Sequence, residues 1–182
     1  WVSVGDLTVG GTPIALQRHT MHVFGGFLYV VGGRTSASVV SSIYKVNPAS
    51  GVATLFASMS GFTQRHTSWL STTGNGFIYV IGGDGGATVL TRIARLNLTT
   101  ASRVNLAAVL PAARNRQVLA YTTSTSTSNV YVCFGTTTVS PTVAADWRSE
   151  MYLFDAATET ISTFAYILDS ALDDHGDLIS IP

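Results

Sequence analysis

The residues of the 182-residue chain with types suited to chemistry are few, and their spacing is loose. Asp169, Asp173, Asp174, His175 and Asp177 gather four carboxylates and an imidazole, an oxygen-rich run of the sort hard cations such as calcium accept. The spacing is not that of an EF-hand loop, so the preferred reading is an acidic loop without metal. Asp173, Asp174 and Asp177 are kept as the weaker metal candidates. His19, His22, His66 and His175 form no metal-ligand spacing, and Glu150 and Glu159 are the sole glutamates. Neither a Gly-x-Ser-x-Gly elbow nor a phosphate-binding loop occurs. No catalytic residue and no cofactor is therefore assigned.

Residue types that anchor partners are better represented. The segment 136–150 (TTTVSPTVAADWRSE) holds Trp147 and Arg148, and aromatic and arginine anchors dominate interfaces. Two readings stand for it: a recognition loop, or a tryptophan folded over its own sheet. Arg34, Ser36 and Asp84 occupy exposed loops that offer hydrogen bonds to a protein or glycan, or are solvated turns. Asn97-Leu98-Thr99 is an N-glycosylation sequon. With 24 Thr and 19 Ser in the chain, the sequon favours an extracellular or cell-surface glycoprotein over the alternative, a cytoplasmic one.

Composition narrows the classes. Charged residues make up 11% of the chain, against about 25% in ordinary soluble domains. Ten basic side chains balance ten acidic ones, which gives no electrostatic footprint for nucleic acid. No stretch reaches the ~18 apolar residues of a membrane-spanning helix. The single cysteine, Cys133, excludes an internal disulfide or a cysteine zinc site.

The elements that must position these residues emerge from a repeat. FLYVVGG (27–33), FIYVIGG (77–83) and NVYVCFG (129–135) align on Tyr29, Tyr79 and Tyr131, and carry Gly32 and Gly33, Gly82 and Gly83, and Gly135. Each is followed by an apolar segment ending at Asn47, Asn97 or Asp155, and preceded by an arginine, taken as Arg18, Arg65 and Arg114. A fourth segment has apolar residues three apart: Ala53, Phe56, Met59; Val104, Ala107, Leu110; Ile161, Phe164, Ile167. Four short strands in a unit of about fifty residues specify a propeller blade, and sustained helical periodicity is missing. The Tyr-containing strands read as near-continuous apolar runs, so they are expected innermost, covered on both faces. The glycines after them permit positive φ and close approach of the next blade.

With these residues in view, the chain resembles the kelch-repeat family: Arg-His-Thr at 18–20 and 65–67, then Tyr-Val-x-Gly-Gly, then an Asn or Asp turn. The third repeat departs from it, with Asn115-Arg116 in place of His-Thr and Phe134 in place of the first glycine, so its turn is expected to differ. The family's fourth-strand tryptophan is kept at Trp1, with Ala53, Val104 and Ile161 elsewhere. The resemblance implies an all-β, kelch-type propeller segment of four-stranded antiparallel blades, incomplete as given. Its parts are 1–17 (fourth strand of a preceding blade, and a loop), blades at 18–64, 65–113 and 114–168, and 169–182 as the start of another.

Three blades do not close a ring, so the rest is expected from a longer chain or a protein partner. The implied function is a non-catalytic protein- or glycan-binding or structural module in an extracellular or cell-surface assembly. The alternative is part of a secreted oxidase similar to galactose oxidase, or of a sugar-processing enzyme. Such oxidases need tyrosine, cysteine and histidine converging on the axis, and Cys133 beside Tyr131 keeps that alternative open.

Overall fold

The structure is a computed structural model that describes residues 7–59, 61, 64–71, 76–121, 129–146 and 148–167. Short alternating segments broken by Gly, Asn and Asp turns give strands and, apart from one 3-10 turn at Ala144–Asp146, no helix among the described residues. A hairpin, β1 (Thr8–Val9) and β2 (Thr12–Pro13), precedes blade one: β3 (Thr20–Phe24), β4 (Phe27–Val31), β5 (Ser42–Val46) and β6 (Val52–Ser58). Blade two is β7 (Thr67–Ser71), β8 (Phe77–Ile81), β9 (Arg92–Asn97) and β10 (Arg103–Val109). Blade three is β11 (Val118–Tyr121), β12 (Asn129–Cys133), β13 (Glu150–Asp155) and β14 (Thr160–Ile167). Each blade is an antiparallel meander. The hairpin adds to the outer edge of blade one, with β1 parallel to β6, so residues 7–17 extend that blade.

The blades stack face to face. Tyr29, Val31, Ile43 and Met59 of blade one bury against Ile78, Val80, Ala94 and Leu96 of blade two. Tyr79, Ile81, Ile93, Leu106 and Leu110 of blade two bury against Val132, Tyr152 and Phe154 of blade three. The period of two along a strand explains this: Ile78 and Val80 point one way, Tyr79 and Ile81 the other. Tyr29 and Tyr79 face the following blade. Tyr29 meets Phe56 edge-on at 5.2 Å, and Tyr79 meets Phe154 at 5.1 Å.

Four sequence expectations change. The strands nearest the axis are β3, β7 and β11, which pack successively on one another, while β4, β8 and β12 lie second. Second strands are the ones sandwiched by neighbours, which is why they read as apolar runs. The inner strands meet through polar side chains: Thr20 Oγ1 and His66 Nε2 are 3.1 Å apart, and His22 Nε2 and Ser68 Oγ 2.6 Å.

In the fourth strand of blade two, Val104 is 47% exposed while Leu106 and Leu110 are buried. Arg103, opposite Leu96, holds the place that Ala53 holds opposite Val46 and Ile161 opposite Phe154. Every fourth strand carries a register shift, and such bulges break the period of two. Phe56 and Met59 bury against blade two across one bulge, while Leu106 and Leu110, one residue further apart, bury against blade three across another.

Phe134 adopts φ 58°, matching Gly32 at 56° and Gly82 at 60°, and Gly135 matches Gly33 and Gly83. The third turn is therefore the same, at a cost of about 1–2 kcal/mol for a left-handed phenylalanine. Finally, the arginine equivalent to Arg18 and Arg65 is Arg116, because Asn115 pairs with Thr136 as Gln17 pairs with Arg34 and Gln64 with Asp84. Gln117-Val118 thus replaces His-Thr.

Candidate functional site

The inner-strand ends of the three blades form one polar face. Arg18, Arg65 and Arg116 all lie in the left-handed region, at φ 60°, 53° and 55°. Their backbones join blade to blade: Arg65 N–H donates to Arg18 O at 3.2 Å, and Arg116 N–H to Arg65 O at 2.9 Å. This ladder repeats the strained conformation at the blade period, so the three guanidinium groups leave the backbone in corresponding directions. Arg18 is exposed, and Arg65 and Arg116 are half-buried.

Beneath them lies a buried amide and carboxylate chain. Asp84 accepts from Gln64 Nε2 at 2.8 Å, Asn115 Nδ2 at 3.0 Å and the Gly86 amide at 3.0 Å. Arg65 Nη1 approaches Asp84 at 3.4 Å and donates to Val139 O of the long loop at 2.7 Å. Arg18 Nη1 donates to Gln64 Oε1 at 3.2 Å. Burial lowers the Arg65 pKa, and the Arg116 and Arg18 charges add to that effect against the opposing pull of Asp84. Among the described residues, the Arg116 guanidinium has no hydrogen-bond or ion-pair partner.

Arg114 has a different task. It is fully buried, donates to Phe134 O at 2.9 Å, Glu150 Oε2 at 2.8 Å and Tyr152 Oη at 2.9 Å, and lies over the Tyr152 ring. Burial pushes the Glu150 carboxyl up, but the hydrogen bonds from its own amide and Arg114 outweigh this and hold it below the usual range.

The long loop folds onto this face through its own bonds. Asp146 Oδ2 accepts from the Thr142 and Val143 amides at 2.8 and 3.3 Å, and the Arg148 amide donates to Gly135 O at 2.9 Å. Arg148 Nε and Thr138 Oγ1 are buried without a partner.

The sequence-selected residues distribute unevenly. Asp84 sits at the centre of the face, but it is buried under the arginines and is no exposed loop contact. The loop that carries it folds in towards Gln64 and Asn115. Arg34 is half-buried beside Gln17, and Ser36 is exposed in a turn whose Thr35 hydroxyl accepts the Ala37 and Ser38 amides at 3.3 and 3.0 Å. Arg148 is half-buried within its loop. Trp1, Trp147, the segment 122–128 and the acidic run with Asp173, Asp174 and Asp177 lie outside the described residues.

Asn97 stands at the opposite end, where its Oδ1 accepts the Thr99 and Thr100 amides at 2.8 and 3.0 Å. Cys133 and Tyr131 share the far face of blade three with Phe134 and Met151. The sheets of blades two and three separate them from His22 and His66. Burial pushes the Cys133 thiol up to about 11. Among the described residues, no three His, Cys, Asp or Glu side chains are placed to hold a metal ion.

Charge is divided between the two ends of the blades. Arg18, Arg34, Arg65, Arg92, Arg114, Arg116 and Arg148 lie at the inner-strand-start end, with Asp84, Asp146 and Glu150. The opposite end holds Lys45, Arg95 and Arg103 with Asp155 and Glu159. Among the described residues, basic side chains outnumber acidic ones seven to three at the first end and three to two at the other.

Four-stranded antiparallel blades stacked about a common inner edge define a β-propeller segment. Its fold is similar to that of YjhT, with a TM-score of 0.65 and 18% identity over 89% of this chain and 52% of YjhT. The chain spans about half the length of that protein, and at this identity the likeness is one of fold alone. No family model matches the chain, and no curated protein matches its sequence. No helix among the described residues is long and apolar enough to cross a membrane.

Proposed function

We propose that the chain is a non-catalytic, kelch-like propeller module that binds a protein or glycan partner in an extracellular or cell-surface assembly. An anionic group of that partner is received at the Arg18, Arg65 and Arg116 face. The observation that carries this reading is the excess of basic side chains at this end among the described residues, with the Arg116 guanidinium held on a rigid backbone ladder and left without a partner among those residues. Rigid placement lowers the entropy cost of ordering a long side chain on binding, and the planar guanidinium fork can donate to two oxygens of a carboxylate or sulfate.

The apolar face of blade one supports packing against further blades or a protein partner. Val23, Leu55 and Met21 there are 69%, 64% and 55% exposed. The rim placement of Asn97 and the hydroxyl-rich composition support a glycan at that position and the extracellular setting.

The test uses polyglutamate and a heparin oligosaccharide as probes of the intact chain. Binding should weaken with added salt, and Arg116→Gln should weaken it about tenfold, equivalent to one charge-assisted hydrogen bond. Failure of both probes to bind, or binding untouched by Arg116→Gln, removes the reading.

A further inference from the structure

At the end opposite the arginine face, each blade closes its third-to-fourth strand turn with a left-handed fifth residue: Gly51 at φ 70°, Ala101 at 57° and Glu159 at 53°. Glycine suits that conformation and alanine strains it. Blade three places a glutamate there, so a strained backbone delivers a carboxylate to the cleft between blades two and three. Strained non-glycine residues of this kind cluster at ligand clamps.

The platform facing Glu159 is repeated within the molecule, and the glutamate is not. Between blades one and two, Phe27, Tyr29 and Lys45 present a buried ring and a cation, with the Lys45 ammonium 3.9 Å from the Phe27 centroid. Ala101 faces them. Between blades two and three, Phe77, Tyr79 and Arg95 take the same places, with the Arg95 guanidinium 4.8 Å from the Phe77 centroid. Arg95 is ion-paired to Glu159. The blade core therefore accounts for rings and cation, but it does not call for the carboxylate.

The cleft encloses about 500 Å³, with Ala156 and Ala157 among the residues lining it. Arg95 and Glu159 keep 31% and 29% of their side-chain surface open. Tyr79 Oη lies 3.3 Å from Glu159 Oε1 and 3.4 Å from Ala156 O, both longer than the roughly 2.5–3.0 Å usual for a hydroxyl donor. This end of the cleft thus offers a donor fork, a weakly engaged hydroxyl and an acceptor carboxylate beside small apolar side chains. The paired charges cancel, so neither an anion nor a cation is favoured. Two adjacent hydroxyls, one accepting from Arg95 and one donating to Glu159, satisfy the groups together, while the alanines and the edge of Phe77 accept the C–H face of a ring. We propose that this cleft is a binding site for a neutral saccharide, held through a vicinal diol by Arg95 and Glu159.

This inference is independent of the anionic-partner reading, since it uses the other end of the blades. The probes are the methyl glycosides of galactose, mannose and N-acetylglucosamine, added to the isotope-labelled full chain while backbone amide shifts are followed. At least one should move the Ala156, Ala157 and Thr158 resonances saturably, and methyl glucuronide should not. Glu159→Gln should weaken the effect about tenfold or more. Glu159→Gly relieves the backbone strain, so binding should be lost while the thermal midpoint is kept or raised. Arg116→Gln should leave the glycoside shifts unchanged. No saturable shift with any neutral glycoside overturns the proposal. So does a Glu159→Gly variant that loses stability yet keeps the shifts, because the glutamate is then a structural ion pair.

Discussion

The contact between blades one and two and the contact between blades two and three share one backbone plan and differ in the side chains that close it. In the first, His66, Thr20, Ser68 and His22 form a chain of hydroxyls and imidazoles. In the second, Gln117 stands where His66 stands, and its Nε2 donates to Ile81 O at 2.7 Å. Asn115, Asp84 and Thr136 are hydrogen-bonded across this second interface. One interface is thus built on imidazoles and hydroxyls and the other on amides and a carboxylate, while both keep the same ladder through the arginine backbones. The ladder, and not the identity of the polar filler, is what the blades have in common.

The largest way to break the comparison acts on the second interface. A Cβ on Gly82 would lie 2.1 Å from Gln117 Nε2 and 2.5 Å from Arg114 O, with φ at +60°. Gly82→Ala must displace blade three or distort the turn, at about 3 kcal/mol from strain and overpacking together. Chemical denaturation should show that loss. Gly10→Ala has a similar φ and nothing within 4 Å, so it should cost only the backbone part. Equal losses for the two would show that close approach between blades plays no part.

The first interface should answer to pH instead. Burial lowers His66 to about 4, reinforced by His22 and His19, and burial lowers His22 to about 4 as well. The unfolded chain takes up these protons at its ordinary value near 6.5 while the folded chain resists, so stability falls as pH drops from about 6.5 towards 4 and levels below that. For His66, with 6% of its surface exposed, the loss is about 2 kcal/mol at pH 5. His66→Gln copies the second interface and should flatten the acid limb of a denaturation midpoint plotted against pH. An unchanged limb would place the titrating groups elsewhere.

Legibility in the sequence followed the same division between backbone plan and filler. Tyr29, Tyr79 and Tyr131, the glycine pairs and the Asn47, Asn97 and Asp155 turns recur at the blade period, and strands formed at each. The strand order about the axis was misread because apolar density marks sandwiching by two neighbours, and the axis-lining edge is polar. The register of β10 was misread by one residue because a bulge inserts a position that leaves no trace in composition. Arg18 and Arg65 were found, and Arg116 was exchanged for Arg114 because the two arginines stand two apart and His-Thr is missing beside both. A better signal was present: an amide residue precedes each ladder arginine, as Gln17-Arg18, Gln64-Arg65 and Asn115-Arg116. Asp84 looked like a loop residue because nothing local to its loop reveals that Gln64 and Asn115 will close over it.

The smallest effect sharpens the contrast at the rim. Ala101 and Glu159 hold one left-handed position in successive blades, at φ 57° and 53°. Ala101 makes no side-chain contact that its replacement by glycine would forfeit, other than burial of a methyl group, so Ala101→Gly should recover about 0.5–1 kcal/mol of backbone strain. That gain calibrates the position. Glu159→Gly relieves comparable strain but removes the partner of Arg95, a half-exposed pair worth about 0–1 kcal/mol, so its net change should fall between that of Ala101→Gly and zero. The difference between the two thermal midpoints then measures what the glutamate contributes to folding. If Ala101→Gly destabilises, the strain assigned to both turns is absent, and Glu159 is an ordinary rim residue with no strained backbone behind it.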